Sequence, residues 1–455
     1  MVDTIAAVAT PPGPGALAIV RISGPEAGEI LKRLAPGMAV LPPARAATVA
    51  RIADPVDGSP LDEAVVVRYE GGASPTGEDL VELSCHGGRL VPALVLQACL
   101  DAGCRHAEPG EFTKRAYLHG RLDLIQAEAV ADLVGARSRA MHQVAVAHLE
   151  GGLSDRLAAV RGALVHLEAL LAHHLDFPEE DDPPAPLDAI AGEAAAVAEK
   201  LRGVLGTAPE GELLRDGALV VLAGKPNAGK SSLYNALLGE ERAIVTEEPG
   251  TTRDALEAAV QLEGYPFRLV DTAGLRESGE RVERMGVEVA RRYLKRADVV
   301  LYCAEAGSAL TAEERCFLED VGTVPVVKVE TKGDLGGPAG GWGGEGLVFS
   351  EIVRVSVRDG SGLAELRETL ARLVYAGLVD ADGDAPVVTR RRHVRALEAA
   401  LEEVTAFASA LSEGVSPEVA ATHLHSAGAA LEDLVGLVSR EDVLAAVFSE
   451  FCVGK

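Results

Sequence analysis

Gly224-Lys-Pro-Asn-Ala-Gly-Lys-Ser231 is the stretch of sequence that decides the fold of this chain. It matches G-x-x-x-x-G-K-[ST], the pattern of a loop whose backbone N–H groups surround the phosphates of a nucleotide. The apolar run Leu219–Ala223 before it predicts a buried strand, and Lys230–Leu238 after it predicts a helix. With these flanks, the stretch indicates a nucleotide site rather than a glycine-rich turn.

Two side chains of this loop carry the chemistry that we expect of it. The Lys230 ammonium can reach the β- and γ-phosphates, and the Ser231 hydroxyl can ligate Mg²⁺. The N-terminus of the following helix adds positive potential at the same place. We therefore expect a catalytic role for Lys230 and a metal-binding role for Ser231.

The size, charge and cysteines of the chain exclude several classes of protein. At 455 residues it is too long for one core, so roughly two to four domains are expected. A formal net charge of -26 argues against a broad basic nucleic-acid surface, although a local patch is compatible with it. Six scattered cysteines without C-x-x-C favour reduced thiols in a cytoplasmic protein. No signal peptide and no membrane span are predicted.

Residues 1–118 alternate short β-rich runs with helical ones, which predicts an α+β domain. Its polar stretches from Gly77 to Gly88 and from Pro109 to Ala116 are explained, on spacing alone, by turns, a strand and a helix start with solvated charges. We predict strands over Thr4–Ala9, Leu17–Ser23, Val49–Ile52, Ala64–Tyr69 and Leu80–His86, and helices over Pro25–Leu34 and Leu90–Ala102.

Helical periodicity covers Arg121 to about Leu175, then Leu187–Leu205, and resumes after Pro386. The apolar stripes of these helices need partners, and core packing explains them better than a cofactor site. The fold class predicted is multidomain, with an α+β N-terminal domain, a discontinuous α-helical domain and an inserted α/β P-loop domain. The expected bounds are 1–118, 119–212 with 381–455, and 213–380 for the inserted domain.

Two stretches after the P-loop are typical of a nucleotide switch. Asp271-Thr-Ala-Gly274 follows the predicted strand Phe267–Val270, where Asp271 can hold Mg²⁺ through water and the Gly274 N–H can meet the γ-phosphate. In Gly250-Thr-Thr-Arg-Asp254, a threonine hydroxyl can complete the Mg²⁺ shell once the γ-phosphate is present. We assign that role to Thr252.

Two later stretches indicate which base is bound. Thr331-Lys-Gly-Asp334 follows the predicted strand Val324–Val329, and Asp334 can accept from both N1–H and N2–H of guanine. Ser356, after the predicted strand Ile352–Val355, can add a backbone contact to guanine O6. The order of these motifs favours a GTPase, and a P-loop ATPase is the alternative.

The whole chain resembles the MnmE (TrmE) family of tRNA-modification GTPases nearly from end to end. The resemblance is carried by Arg21-Ile-Ser-Gly24, His86-Gly-Gly88, Pro109-Gly-Glu-Phe-Thr-Lys-Arg-Ala116, Leu122-Asp-Leu-Ile-Gln-Ala-Glu-Ala129 and the terminal Phe451-Cys-Val-Gly-Lys455. It implies a K⁺-dependent GTPase activated by dimerisation of its GTPase domains. Motifs and resemblance together imply GTP contacts at Asn227, Ala228, Gly229, Lys230, Ser231, Ser232, Thr246, Glu247, Glu248, Pro249, Gly250, Thr251, Thr252, Asp271, Thr272, Ala273, Gly274, Thr331, Lys332, Asp334 and Ser356.

The resemblance also implies a folate site. In the family the N-terminal domain forms a homodimer and binds 5,10-methylene-tetrahydrofolate, for which 5-formyl-tetrahydrofolate is an analogue. The family's folate positions match Arg21, Glu82, Arg121 and Lys455, and Arg121 stands where the family often has Lys. Cys452 would lie near the folate, as a catalytic or a structural thiol.

The implied partner is an FAD protein similar to MnmG (GidA), in a heterotetramer or a larger complex. With it the family installs a carboxymethylaminomethyl or aminomethyl group at C5 of the wobble uridine of certain tRNAs. Two other functions stay open: a regulatory or ribosome-assembly GTPase without modification chemistry, and a one-carbon transferase that the P-loop merely regulates.

Leu275 stands where many small GTPases place a water-orienting Gln. An apolar side chain cannot polarise water, so another group must do so. The resemblance points to Glu283 as the catalytic group, whereas the residues alone favour a solvated helix charge. It also implies a catalytic K⁺ held by Asn227, Thr246, Glu248 and Thr251, in place of an arginine finger.

This sequence departs from the family pattern at the base-binding end. Thr331 stands where the family has Asn, which bridges guanine N7 and the P-loop. We therefore expect weaker guanine affinity, with Asp334 keeping the choice of base. Val357 replaces the usual Ala, a small change at a backbone contact.

Overall fold

The computed structural model describes residues 3–176, 185–240, 257–271, 292–308, 311–336, 349–380, 387–436, 441–449 and 451–455. The chain divides into two compact units. The first comprises Met1–Val134, His148–Arg161 and His425–Lys455, and the second comprises Gly135–Ala147 and Gly162–Leu424.

A mostly antiparallel sheet forms the centre of the first unit. Its strand order is β3-β4-β5-β2-β1-β6, and only the β1–β6 pair is parallel. The strands alternate between buried and exposed residues, as expected when a sheet has one covered face. The bounds are Ile5–Val8 (β1), Leu17–Ser23 (β2), Thr48–Ala53 (β3), Pro60–Tyr69 (β4), Leu80–His86 (β5) and Arg105–His106 (β6).

Two helices, α1 (Ala27–Leu34) and α2 (Val91–Asp101), cover one face of this sheet through an apolar core. The predicted strands and helices of the first domain are thereby confirmed. A third helix, α3 (Glu111–Leu118), places Phe112 against Ile5 and Ala7 of β1.

The end of the chain belongs to the first unit. Helices α4 (Leu124–Gly135) and α15 (Glu441–Ser449) share an apolar cluster that also includes Phe451. Beyond it, Val453 forms an antiparallel bridge with Pro109. The last residues are therefore fixed to the N-terminal sheet domain rather than trailing from a helix.

A second sheet, with the order β12-β11-β10-β7-β9-β8, organises the second unit. Its pairs are parallel except for the β8–β9 hairpin. The central strands are apolar runs because both faces are buried. The bounds are Ala218–Gly224 (β7), Glu257–Leu262 (β8), Tyr265–Asp271 (β9), Val299–Glu305 (β10), Val326–Thr331 (β11) and Glu351–Arg354 (β12).

The periodic segment before residue 176 comprises three helices, of which α4 is the first. Gly151 separates α5 (Arg139–Leu149) from α6 (Gly152–Asp176) because its φ of 98° cannot continue a helix. The remaining helices are α7 (Leu187–Leu205), α8 (Ala208–Asp216), α9 (Lys230–Glu240), α10 (Ala312–Asp320), α11 (Leu363–Val374), α12 (Ala376–Asp380), α13 (Arg391–Ser412) and α14 (Pro417–Val435).

Helices α7 and α13 come from opposite sides of the P-loop sheet in sequence, and they pack along each other. This packing is what a discontinuous helical domain with an insertion requires, and the multidomain fold class is confirmed. The domain bounds 1–118, 119–212, 213–380 and 381–455 stay predictions. The glycine-rich stretch 333–346 begins with one 3₁₀ turn, Gly333–Leu335, and lies mostly outside the described residues.

Across the described ranges, no helix combines the length and apolarity needed to cross a membrane.

Candidate functional site

The loop between β7 and α9 has the backbone shape of a phosphate-binding loop. Asn227 has a φ of 61° and Gly229 a φ of 84°, so successive N–H groups can turn toward one point. Gly224, at a φ of 139°, passes so close to β10 that a Cβ would lie 2.3 Å from the Cys303 carbonyl oxygen. Only glycine fits there. Ala228 beside them is buried, whereas Ser232 on the following helix is exposed.

Lys230 is the first residue of α9, and its side chain folds back over the loop. The residue is only 6% exposed. Its ammonium donates to the carbonyl oxygens of Gly224, at 2.9 Å, and Lys225, at 2.7 Å. The positive charge is therefore held at the loop itself, where a phosphate would meet it.

Ser231 and Asp271 are brought together by the sheet. Strands β7 and β9 are parallel neighbours, so the helix start after one lies beside the C-terminal end of the other. The Ser231 hydroxyl donates to Asp271 Oδ2 over 2.7 Å. A hydroxyl and a carboxylate are hard oxygen ligands, and nucleotide phosphates supply further oxygens to Mg²⁺. The two residues fit a nucleotide-bound magnesium ion.

No group of three or more His, Cys, Asp and Glu side chains among the described residues could hold a metal by itself. A Mg²⁺ ion that shares its shell with phosphates and water needs no such cluster.

The predicted base-binding residues meet at the ends of β11 and β12. The Ser356 hydroxyl donates to Asp334 Oδ1 over 3.3 Å. Arg358 approaches the other carboxylate oxygen of Asp334 to 3.7 Å. Lys332, with a φ of 57°, forms an ion pair with Glu305. Asp334 and Ser356 therefore lie together after β11 and β12, and their contacts to guanine stay a prediction.

Thr331 occupies a different place from the other base-binding residues. It is 3% exposed, and its hydroxyl donates to the Ala228 carbonyl oxygen of the P-loop over 2.8 Å. A second carbonyl oxygen, of Ala304, lies 3.2 Å from the same hydroxyl. A hydroxyl has one proton, so these two carbonyls share it. Thr331 thus connects β11 to the P-loop.

Several predicted residues lie outside the described residues. They carry the proposed switch, potassium and water-orienting roles, and those roles stay predictions. They are Thr246, Glu247, Glu248, Pro249, Gly250, Thr251, Thr252, Thr272, Ala273, Gly274, Leu275 and Glu283.

A second candidate site lies on the sheet of the first unit. Arg21 and Glu82 are cross-strand partners on β2 and β5. The guanidinium donates to Glu82 Oε1 from Nε at 3.0 Å and from Nη2 at 2.8 Å. The Arg21 guanidinium also lies over the Phe112 ring, 5.6 Å from its centroid. The charge pair is therefore held in one orientation on the sheet face opposite α1 and α2, beside Phe112.

The last residues of the chain lie beside this pair. The Phe112 N–H donates to the Lys455 carbonyl oxygen over 3.1 Å, and the Gly110 N–H donates to that of Cys452 over 3.3 Å. Burial and the nearby Arg21 charge lower the pKa of the Lys455 ammonium. The side chain of Cys452 is exposed.

Arg121 is the fourth predicted folate residue. It is exposed and donates to the Gly72 carbonyl oxygen over 3.1 Å, in the loop that follows β4. Tyr69, at the end of β4, has its hydroxyl 3.5 Å from Glu82 Oε2. The structure thus groups Arg21, Glu82 and Lys455, and holds Arg121 at the adjoining loop.

The expectation that the charges of the polar N-terminal stretches are solvated was wrong. Arg115 is fully buried and pairs with Glu78 and Glu111, each at 2.9 Å, and with Asp3 at 3.0 Å. Glu111 is itself 4% exposed. The i,i+4 spacing of Glu111 and Arg115 on α3 indicates an ion pair from sequence alone, but the burial of that pair depends on residues distant in sequence.

The site at Gly224–Ser231, its hydroxyl–carboxylate pair and the carboxylate of Asp334 at the end of β11 define a P-loop GTPase. It is joined in one chain to an α+β unit with a charged site of its own.

Comparison with known proteins narrows this class to a family. The model of the MnmE helical domain matches residues 124–452, and the model of the GTP-binding protein TrmE N-terminus matches residues 4–121. The tRNA modification GTPase MnmE of Heliobacterium modesticaldum is 42% identical over 469 residues, covering 100% of this chain and 99% of that protein. Those of Salinibacter ruber and Aquifex aeolicus are 41% and 39% identical, over 100% of this chain and 99% and 100% of theirs. The chain belongs to the MnmE family of tRNA modification GTPases.

Proposed function

We propose that this chain hydrolyses GTP to control the modification of C5 of the wobble uridine in certain tRNAs. The group added is carboxymethylaminomethyl or aminomethyl, and its one-carbon unit comes from 5,10-methylene-tetrahydrofolate. One observation carries the proposal: the terminal residues pack beside the Arg21–Glu82 pair, with the Lys455 carbonyl bonded to Phe112. A GTPase that only switches has no need of this second site.

At the nucleotide site, Lys230 neutralises the β- and γ-phosphates, and Ser231 and Thr252 ligate Mg²⁺. Asp334 selects guanine by accepting from its two adjacent N–H groups, with Ser356 beside it. The contact between Ser231 and Asp271 supports this assignment, because it places the metal-binding hydroxyl against the carboxylate expected in the outer metal shell.

For hydrolysis, Glu283 orients the attacking water through a hydrogen-bond network. Asn227, Thr246, Glu248 and Thr251 hold a K⁺ that offsets the charge developing on the phosphates. The left-handed backbone of Asn227 supports its proposed role as a K⁺ ligand, because this conformation places Asn227 at the turn of the phosphate-binding loop. Dimerisation of the GTPase domains completes this arrangement.

At the second site, Arg21, Arg121 and Lys455 supply cations for an anionic ligand, and Glu82 supplies an acceptor for ring N–H groups. A reduced folate offers the complementary groups, namely an anionic end and ring N–H donors. The reduced pKa of the Lys455 ammonium supports a partly desolvated site. Cys452, exposed beside it, is the candidate thiol.

The partners follow from family membership. We infer a homodimer through the N-terminal domain, an MnmG-like FAD protein bound in a heterotetramer or larger complex, and a tRNA substrate in the cytoplasm. Exposed apolar side chains on the sheet face opposite α1 and α2 support the dimer: Leu17 is 65% exposed and Val49 is 64% exposed.

The test is calorimetric titration of 5-formyl-tetrahydrofolate into the wild-type chain, Arg21→Ala and Arg51→Ala. Arg51 is an exposed arginine on the same sheet and serves as the matched control. We expect binding to the wild type and to Arg51→Ala, and its loss in Arg21→Ala. A wild-type chain that hydrolyses GTP but does not bind the folate would instead support the regulatory or ribosome-assembly GTPase.

A further inference from the structure

Glu314, on helix α10, is the centre of a polar cluster that reaches the P-loop. Its carboxylate is 12% exposed and meets the Lys225 ammonium at 3.0 Å through Oε2. Its other oxygen, Oε1, accepts from the Tyr302 hydroxyl at 2.7 Å. The carboxylate therefore joins a P-loop side chain to a buried residue of β10.

The same carboxylate also caps its own helix. Oε2 accepts from the Thr311 N–H at 2.6 Å, and the Thr311 hydroxyl oxygen accepts from the Glu314 N–H at 3.4 Å, which forms a capping box at the start of α10. The Thr311 hydroxyl also donates to Oε2 over 2.7 Å. Burial alone would raise the pKa of Glu314, but the bonds from Thr311, Tyr302 and Lys225 lower it to about 2. Glu314 is therefore a fixed anion at neutral pH.

Lys225 links this anion to the catalytic lysine. Its side chain reaches Glu314, while its backbone carbonyl accepts from the Lys230 ammonium at 2.7 Å and from the Ala228 N–H at 3.3 Å. A displacement of Lys225 would therefore move both the loop and the ammonium that meets the phosphates.

We propose that Glu314 is a positioning residue, which holds the P-loop in its nucleotide-accepting shape through Lys225. Because the tether is made by side chains of this chain alone, it restrains the loop and reduces the conformational entropy that the loop loses on binding. Loss of the tether should therefore weaken nucleotide affinity and raise KM, and leave kcat largely unchanged. This inference rests on the proposed binding of a guanine nucleotide at the P-loop.

The test is a double-mutant cycle on mant-GDP affinity with Glu314→Gln, Lys225→Met and the double variant. We expect Glu314→Gln to weaken binding roughly fivefold in the wild type, and less than about twofold when Lys225→Met is also present. A carboxylate that only caps α10 would produce the same loss in both backgrounds.

Thr311→Ala is the matched control, because it removes a capping hydroxyl and leaves the carboxylate facing Lys225. We expect it to lower the melting temperature while mant-GDP affinity and the KM for GTP stay at wild-type values. Lys225 is half-exposed, so Lys225→Met retains the fold and keeps the cycle interpretable.

Equal affinity of Glu314→Gln and wild type, or equal losses in the two backgrounds, would overturn the proposed tether. A wild-type chain that bound no mant-GDP would instead overturn the nucleotide assignment, so the two failures are distinguishable.

Discussion

The hydroxyl of Thr331 donates to the carbonyl oxygen of Ala228 over 2.8 Å. This bond connects β11, the strand before the base-binding loop, to the phosphate-binding loop. The resemblance to the family implies Asn at this position. Thr331 keeps the link to the P-loop, but its single proton is shared between two carbonyls and is not available to guanine.

Restoring Asn at this position should strengthen guanine binding. Thr331→Asn supplies an amide that can reach the base as well as the P-loop, and we expect roughly fivefold higher affinity for mant-GDP. The measurement is a fluorescence titration beside the wild type. Unchanged or lower affinity would mean that the buried position has no room for the amide.

Removing the hydroxyl should destabilise the domain. Thr331→Val leaves the buried Ala228 carbonyl without this donor, at a cost of about 1–3 kcal/mol in the free energy of unfolding. Urea denaturation measures it. Thr405→Val is the control, because that exposed hydroxyl also donates to a carbonyl, of Leu401, at 2.7 Å. Similar losses in both variants would contradict the burial argument.

The buried cluster around Arg115 should be sensitive to loss of its cation. Arg115→Met leaves the Glu78 and Glu111 carboxylates without their buried partner, and we expect a loss of about 3–5 kcal/mol in unfolding free energy. Arg51→Met, at an exposed position, should change stability by less than about 0.5 kcal/mol.

The same cluster predicts a pH dependence. Burial would raise the pKa of Glu111, but hydrogen bonds from Arg105, the Glu108 N–H and Arg115 outweigh it and lower the pKa below its ordinary value of 4.5. A lowered carboxylate pKa stabilises the folded state above the unfolded pKa, and this stabilisation is lost as pH falls through the folded pKa. We expect Glu111→Gln to flatten the loss of stability below about pH 4.5, measured by urea denaturation across pH. If the unfolding free energy of Glu111→Gln fell with pH as steeply as that of the wild type, this prediction would be contradicted.

The magnesium assignment predicts a selective loss of hydrolysis. Ser231→Ala removes the hydroxyl that faces Asp271, and we expect about a hundredfold slower GTP hydrolysis with a higher Mg²⁺ requirement. Phosphate release at increasing Mg²⁺ is the measurement. Ser412→Ala, on the exposed end of α13, should hydrolyse GTP at the wild-type rate.

Hydrolysis and tRNA modification should separate at Cys452. Its side chain is exposed beside the candidate folate site, so Cys452→Ser should abolish uridine modification and leave GTP hydrolysis intact. Cys316→Ser, also at an exposed thiol, should retain both activities. A fully active Cys452→Ser protein would leave the thiol without an essential catalytic role.

The local features of this protein could be predicted from its sequence, because each depends on residues adjacent in the chain. The P-loop from Gly224 to Ser231 requires a strand before it, glycines within it and a helix after it, and all are contiguous. Strand positions followed from short β-rich or apolar runs, and helices from their 3.6-residue period.

The relationships between distant residues were decided only by the tertiary structure. Lys455 lies beside Arg21, Glu314 beside Lys225, and Arg115 within a cluster that reaches Asp3. No local period encodes such pairs, because they form only when separate elements pack. Polar residues that sequence assigns to solvent can thereby become buried partners, and the sequence alone locates the P-loop without showing what holds it in place.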